Sequence, residues 1–296
     1  MSVLLTGSNG FLGKSIYSEI SSFEVQTVGR TNTDIKFDLR NEFKCSLGAF
    51  SFVIHAAGKA HSVPKTPAEA QAFWDVNVIG TRNLLNALEA QPPKYFVFVS
   101  SVAVYGKTSG HLLDEQNSLS AQDPYGKSKI EAEEIVKKWC IEKNIIYTIL
   151  RLPLVVGVNP PGNLGSMIHG IKKGYYFNIA GGNAKKSMVL ASDIAKFILK
   201  VAEVGGTYNL TDGYHPNFNE LSYLISKQLG KKFLSNVPLF VAKILATLGD
   251  ILGSKFPINS NKLNKITSTL TFDDSKAREA FGWNPTPVLK GFKINE

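Results

Sequence analysis

The feature that most constrains this chain is a run of glycines at the end of its first apolar segment. Val3-Leu4-Leu5-Thr6 leads into Gly7-Ser8-Asn9-Gly10-Phe11-Leu12-Gly13, and an amphipathic helical pattern follows. Glycines three apart at a strand-to-helix junction permit a tight turn and close backbone approach by a diphosphate. They also allow helix and strand to touch with no Cβ between them. The N–H groups that open the helix, together with the positive end of its dipole, then face that anion. Alone, such a turn is weak evidence and leaves an ordinary loop open, so its weight depends on the rest of the chain.

The rest of the chain alternates short β-branched runs with helical patterns. Strands are expected at Val3–Thr6, Val25–Val28, Phe52–His55, Tyr95–Val99 and Tyr147–Leu150, and helices at Phe11–Ser21, Phe73–Ala90, Pro124–Lys143 and Ala191–Val204. That order predicts an α/β fold, a Rossmann-type doubly wound parallel sheet with crossover helices. In the segment Phe73–Ala90 the helical period places Val76, Gly80, Leu84 and Ala87 on one face. After Gly157 the pattern turns irregular in Asn159-Pro160-Pro161-Gly162-Asn163. The expected division is therefore a sheet domain of residues 1–157, rejoined by 187–210, and a smaller C-terminal region of 158–186 and 211–296. A hydrophobic content of 44% with 19% charged residues supplies a large core and excludes a disordered chain. Two cysteines, Cys45 and Cys140, are too few for a disulfide framework or a zinc cluster, so a cytoplasmic setting and no metal are expected. The N-terminus reads as a strand start, not as a signal peptide.

Further residues fit a dinucleotide at the glycine turn, with Asn9, Phe11 and Leu12 of the turn among its contacts. Asp38-Leu39 follows the second strand, where a carboxylate can accept from an adenine amino group, although a surface turn is the plainer reading. Ala56-Ala57-Gly58 ends the third strand with residues small enough for a flat ligand to lie against the chain. The second strand ends Val28-Gly29-Arg30-Thr31. NAD-selective sites usually carry an acidic residue there for the ribose 2′-OH, whereas an arginine suits a 2′-phosphate. NADP(H) is therefore the expected cofactor, with NAD the alternative if Arg30 is simply a solvated charge.

Tyr125 and Lys129 stand four apart after Asp123-Pro124 and so share one face of a helix that proline opens. A phenol titrates near ~10. A neighbouring ammonium is expected to bring that value down for general acid/base work. Ser100-Ser101 at the end of the fourth strand offers a hydroxyl to the same substrate oxygen that Tyr125 would protonate.

At this point the chain resembles the extended short-chain dehydrogenase/reductase family, in its nucleotide-sugar epimerase/dehydratase branch. The resemblance runs through Thr6-Gly7-x-x-Gly10-x-x-Gly13, Asp38-Leu39, His55-Ala56-Ala57-Gly58, Asn77-Val78-x-Gly80-Thr81, Ser100-Ser101-x-x-Val104-Tyr105-Gly106 and Tyr125-x-x-x-Lys129. It continues through Arg151-x-Pro153 and Asp274-Ser275-Lys276-Ala277-Arg278 before Gly282-Trp283. It implies a Rossmann domain holding NAD(P) and a C-terminal region binding a nucleoside-diphosphate sugar, most often a UDP-sugar of polysaccharide biosynthesis. By position, Ser101, Tyr125 and Lys129 would be catalytic, with Asn77 and Leu152 contributing to the cofactor site. Ser101, Val102, Asn163, Leu164 and Lys186 would meet the substrate. A homodimer through Phe73–Ala90 and Pro124–Lys143 is also implied.

Departures from the family pattern narrow the reaction. Dehydratases of this branch carry an acidic pair where this chain has Val102-Ala103, so elimination of water lacks its agent. Hexose 4-epimerases often carry Asn where Leu154 stands and Arg where Lys186 stands, and retain NAD. Gly29-Arg30 tips the expectation toward a 4-ketoreductase of a UDP-sugar, with a 4-epimerase as the alternative. A non-catalytic NADP-sensing protein is more remote, because such proteins commonly lose the Tyr or the Lys.

The net charge of +9 first admits nucleic acid, an anionic membrane or a phosphorylated ligand. Pairs such as Lys137-Lys138, Lys172-Lys173, Lys185-Lys186 and Lys231-Lys232 are scattered and not gathered with aromatics, which argues against nucleic acid. The longest apolar stretch, Val237 to Gly253, is interrupted by Lys243 and Asp250 and is too short for a transmembrane span. It reads as a packed or subunit-contact helix, or as a helix lying in a membrane interface.

Overall fold

A computed structural model describes residues 1–43, 47–60, 63–231, 234–252 and 258–294. Cys45, Lys232 and Gly253 lie outside the described residues. The first half of the chain runs β1 (Ser2–Thr6), α1 (Phe11–Ile20), β2 (Glu24–Gly29), β3 (Ile35–Lys36), β4 (Phe52–His55), α2 (Pro67–Trp74), α3 (Gly80–Ala87), β5 (Tyr95–Ser101), β6 (Gly110–Leu113), α4 (Pro124–Glu142) and β7 (Ile146–Leu152). It continues β8 (Leu154–Val156), α5 (Gly162–Lys173), β9 (Phe177–Ile179), β10 (Met188–Leu190), α6 (Ala191–Val204) and β11 (Gly206–Asn209). The last part is α7 (Phe218–Gln228), β12 (Ser235–Val237), α8 (Leu239–Leu252), α9 (Ser260–Thr267), β13 (Leu270–Phe272), α10 (Ser275–Phe281) and α11 (Val288–Gly291).

Seven strands form one parallel sheet in the order β11-β7-β5-β4-β1-β2-β3. The order reverses between β1 and β4, and in such sheets the crevice beyond the carboxyl ends at the reversal is where ligands bind. Period-2 alternation sends successive side chains to opposite faces, and both faces are covered. Val3, Leu5, Ile54 and Val97 pack against Ile16 of α1 and Ile194 and Ile198 of α6. Leu4, Val53, Phe96 and Phe98 pack on the other face against Leu84 of α3 and Val136 of α4. Each such side chain contributes about 1.5–3 kcal/mol, which makes the sheet a rigid platform for the loops at its edge. A separate cluster of Val156, Leu164, Ile171, Leu190, Leu221 and Ile225 joins α5 and α7, while Ala277, Phe281 and Trp283 pack onto the α1/α6 face of the sheet.

The expected α/β doubly wound sheet is what the chain forms. The helix expected over Phe73–Ala90 instead begins at Pro67 and passes through a π-helical segment, Asp75–Ile79, before α3. The wider turn breaks the 3.6-residue period, so Val78 is buried in place of Val76, which is only half-buried.

Candidate active site

The glycine turn adopts the geometry its sequence requires. Gly7 has φ +75°, and a Cβ there would lie 2.6 Å from the Ala57 backbone nitrogen. A Cβ on Gly13 would sit 1.9 Å from the Gly7 carbonyl oxygen, so α1 meets the turn backbone to backbone. Gly10 donates its N–H to that same carbonyl at 2.9 Å and caps α1 without any side chain, and the first turn carries no acidic residue. The N–H groups at Phe11, Leu12 and Gly13 are therefore left for an anion, which fits a diphosphate. Asn9 braces the turn by donating to the backbone oxygens of Thr31 (2.5 Å) and Asn32 (3.3 Å), just past Arg30.

Arg30 is exposed and near enough to Asp38 to favour its ionised form. The larger influence on Asp38 is Arg40, a residue the sequence did not single out. Its guanidinium grips both carboxylate oxygens, with Nη2 at 2.6 Å and Nε at 3.1 Å, and holds the carboxyl below its ordinary range. Two arginines thus act on Asp38. Leu39 is buried beneath them, and its carbonyl accepts from Asn83 at 2.8 Å.

Ala56, Ala57 and Gly58 continue β4 past His55. Thr81 gives its hydroxyl proton to the Asn77 carbonyl at 2.6 Å, so it accepts from His55 Nε2 at 2.9 Å. His55 Nδ1 therefore accepts from the Thr6 hydroxyl at 2.6 Å, and the ring is the neutral Nε2–H tautomer. Burial, with help from Lys129, lowers this imidazole to about 3 and keeps it uncharged. Asn77, inside the π-helical turn, donates to Ser128 Oγ of α4 (2.9 Å) and to the Lys59 carbonyl (3.1 Å) and accepts from the Lys59 N–H (2.8 Å). It ties the β4 loop to the helix that bears the tyrosine. A Cβ on Gly58 would approach Asn77 Oδ1 at 3.2 Å and Lys129 Nζ at 3.3 Å, so these three residues converge.

Asp123 caps α4 by accepting from the Gly126 N–H at 3.0 Å, and Pro124 opens the helix. Tyr125 projects from the first turn beside Phe73, their rings 5.9 Å apart. Ser101 ends β5; its hydroxyl accepts from the Ala103 N–H at 3.2 Å and lies near enough to the Tyr125 phenol to favour its ionised form. Burial raises the Tyr125 phenol above its usual value, and the Ser101 hydroxyl only partly offsets this. Lys129 is the group shifted downward, to about 8, by burial, with Glu133 opposing. Its ammonium donates to the Val99 carbonyl at 2.8 Å and lies 4.6 Å over the Phe98 ring. The expectation that Lys129 would lower the phenol is therefore not met: burial acts on both groups and favours a neutral phenol. Leu152 is buried at the end of β7, and Val102 opens a short 3-10 turn after Ser101.

Beneath these residues lies a network missed in the sequence. Glu133, fully buried on α4, receives Arg151 Nη2 at 2.7 Å and Nε at 3.1 Å, and accepts from Ser100 Oγ at 2.6 Å. Arg151 also donates to the Tyr105 hydroxyl at 3.1 Å, which donates in turn to Asn209 at 2.8 Å. The i+4 spacing from Lys129 to Glu133 was the available clue, since it puts the carboxylate on the buried face of α4.

On the side of the smaller region, Asn163 is exposed in the first turn of α5. Leu164 points into the α5/α7 core, so only its backbone can meet a ligand. Lys186 is half-buried, and burial lowers its ammonium to about 8.

Residues 3–211 match the model of the NAD dependent epimerase/dehydratase family. The chain is 30% identical over 311 residues to the N-acetyl-alpha-D-glucosaminyl-diphospho-ditrans,octacis-undecaprenol 4-epimerase of Escherichia coli O157:H7, covering 98% of this chain and 92% of that one. It is 26% identical over 314 residues to a UDP-glucose 4-epimerase of Vibrio cholerae, covering 99% and 93%. In three dimensions it is similar to the UDP-glucose 4-epimerase of Thermotoga maritima crystallised with UDP-glucose, with TM-score 0.75, 21% identity and coverage of 96% and 94%.

Proposed function

The chain belongs to the NAD dependent epimerase/dehydratase family, and on that premise we propose that it inverts C4 of a diphosphate-linked sugar by NAD(P)-dependent hydride transfer. The observation that carries the reading is the junction of Ser101, Tyr125 and Lys129 with the uncapped N-terminus of α1 at the carboxyl edge of one sheet. The nicotinamide, when bound, supplies the hydride acceptor and donor. Gly7 to Gly13 would hold its diphosphate, Asp38 the adenine, and Lys129 and Asn77 the nicotinamide side. Residues 158–186 and 211–296 would form the substrate region, with Asn163 and Lys186 toward the sugar diphosphate.

The work left to the chain is orientation and proton transfer. Tyr125 would take the proton of the sugar 4-OH as C4 is oxidised and return it as C4 is reduced, with Ser101 hydrogen-bonding the same oxygen. A buried phenol raised in pKa is a competent donor for the return step. For the forward step the base is the phenolate, a form that burial opposes in the free site and that Lys129 does not restore there. The absence of carboxylates at Val102-Ala103 supports C4 chemistry over dehydration. Both full-length relatives above are 4-epimerases by name, one acting on a lipid-linked diphosphate sugar and one on UDP-glucose, so either aglycone is admitted.

A second reading, a 4-ketoreductase using NADP(H), rests on Gly29-Arg30, to which Arg40 adds a second cation at the adenosine end. Tyr125→Phe tests the shared chemistry. Turnover should fall at least a thousandfold, roughly the upper range for a proton-transfer group, while dinucleotide affinity stays within a few-fold. Activity near that of the unmodified enzyme would remove Tyr125 from the mechanism.

A further inference from the structure

Helix α8 buries only its small residues. Ala242 and Ala246 pack with Ile179, Val237 and Leu263 of the β9/β12 strand pair and α9, and Gly249 is buried on the same helix. The opposite face is large, apolar and open: Phe240 is 67% exposed, Ile244 58% and Ile251 77%, with Leu248 and Leu252 beside them. Spacings of four and seven place these residues along one side, while Lys243 and Asp250, also seven apart, share a different edge. A helix that turns its broad apolar face to solvent has the pattern of a surface built to be covered. At 14 residues it is about 21 Å long, and among the described residues no helix is long and apolar enough to cross a membrane.

Charge selects the occupant. In the described residues of β12, α8 and α9 there are three lysines, Lys243, Lys262 and Lys265, and a single acidic residue, Asp250. That carboxylate is taken up by the Ser260 hydroxyl and N–H at the start of α9. An apolar helix face in a net basic setting complements an anionic bilayer surface, where each nearby lysine adds about 1 kcal/mol and the apolar side chains enter the acyl boundary. The family-type dimer, through α2, α3 and α4, would leave this face free.

We propose that α8 docks the enzyme flat on a membrane rich in anionic lipid, and that the sugar it epimerises is joined through its diphosphate to a polyprenol held in that membrane. The substrate part rests on the C4-epimerase reading above; the docking part stands on the surface alone. α8 rests on the strand that follows α5, the helix that starts at Asn163. The chain after α9 reaches the strand that bridges Lys186. The docking helix thus belongs to the same region as the candidate diphosphate contacts.

The test uses the full chain and the variant Ile244→Glu/Ile251→Glu, whose exposed positions leave the core intact. Phosphatidylcholine vesicles with and without phosphatidylglycerol are sedimented with each protein. C4 inversion of N-acetylglucosaminyl-diphospho-polyprenol is then followed in those vesicles and in detergent micelles. The unmodified protein should sediment with the anionic vesicles at least tenfold more strongly than with neutral ones, and the variant should lose that binding. The variant should keep its micellar rate within twofold yet lose about tenfold in vesicles. An unmodified protein left in the supernatant, a variant that binds equally, or an α8 face that proves to join two copies of the chain in a dimer dispersed by the variant would each overturn the docking surface. Turnover of UDP-sugars with none of the lipid-linked sugar would overturn the substrate part. Vesicle binding with no C4 turnover on any substrate would uphold the docking and count against the C4 reading instead.

Discussion

Replacing Lys129 by methionine should make the protein more stable at neutral pH while removing its activity. The ammonium is buried and its pKa falls from 10.5 to about 8. At about 1.4 kcal/mol per unit, burying the charge costs the fold about 3 kcal/mol at pH 7. Methionine fills similar volume without a charge. It gives up the hydrogen bond to Val99, about 1 kcal/mol, and the contact over Phe98, about 0.5–1 kcal/mol, leaving a net gain of about 1–2 kcal/mol. The sign of the pH dependence follows from linkage. Below pH 8 both folded and unfolded chains hold the proton and the full cost is present. Between about 8 and 10.5 the unfolded chain binds more protons than the folded one, so stability of the unmodified protein rises with pH. Urea unfolding at pH 7 and pH 9.5 should therefore show the advantage of Lys129→Met shrinking by about 2 kcal/mol at the higher pH. A variant less stable than the unmodified protein at pH 7, or a difference indifferent to pH, would show that the buried charge of Lys129 does not cost stability.

Three further outcomes follow from the same geometry. Glu133→Gln leaves Arg151 buried without its counter-charge and should cost about 3–5 kcal/mol, read as a lower urea midpoint. Gly13→Ala puts a Cβ 1.9 Å from the Gly7 carbonyl and should abolish dinucleotide binding by calorimetry. Gly48→Ala, with open space around it, should bind as before. Arg30→Ala should raise KM for NADPH but not for NADH, and equal changes for both would return Arg30 to the role of a solvated charge.

Much of this architecture is legible in the residues. Phe52–His55 and Ala191–Val204 form with the expected bounds, and the helix bearing Tyr125 ends one residue early, at Glu142. These elements are framed by local signals: Pro124 after a capping Asp123, and β-branched runs bounded by polar residues. The π-helical turn at Asp75–Ile79 has no compositional mark, since it arises where Asn77 must reach both the Lys59 backbone and Ser128. The Glu133–Arg151 pair was hidden for a different reason. Its members lie on separate elements, and charged residues are expected at the surface unless a partner across the fold is known. Arg40 escaped notice because its effect comes only from the local turn that folds it onto Asp38. The direction of the Tyr125 shift was misjudged because spacing on a helix says nothing of how deeply both groups are buried.

C4 inversion of a diphosphate-linked sugar is read by incubating the purified protein with UDP-N-acetylglucosamine, UDP-glucose and N-acetylglucosaminyl-diphospho-polyprenol. Each incubation is run with and without added NADPH, and the C4 epimers are resolved by proton NMR. At least one substrate should reach an equilibrium mixture of gluco and galacto forms with no net consumption of NADPH. Three unchanged sugars would contradict C4 inversion, and so would a product formed only in step with NADPH oxidation.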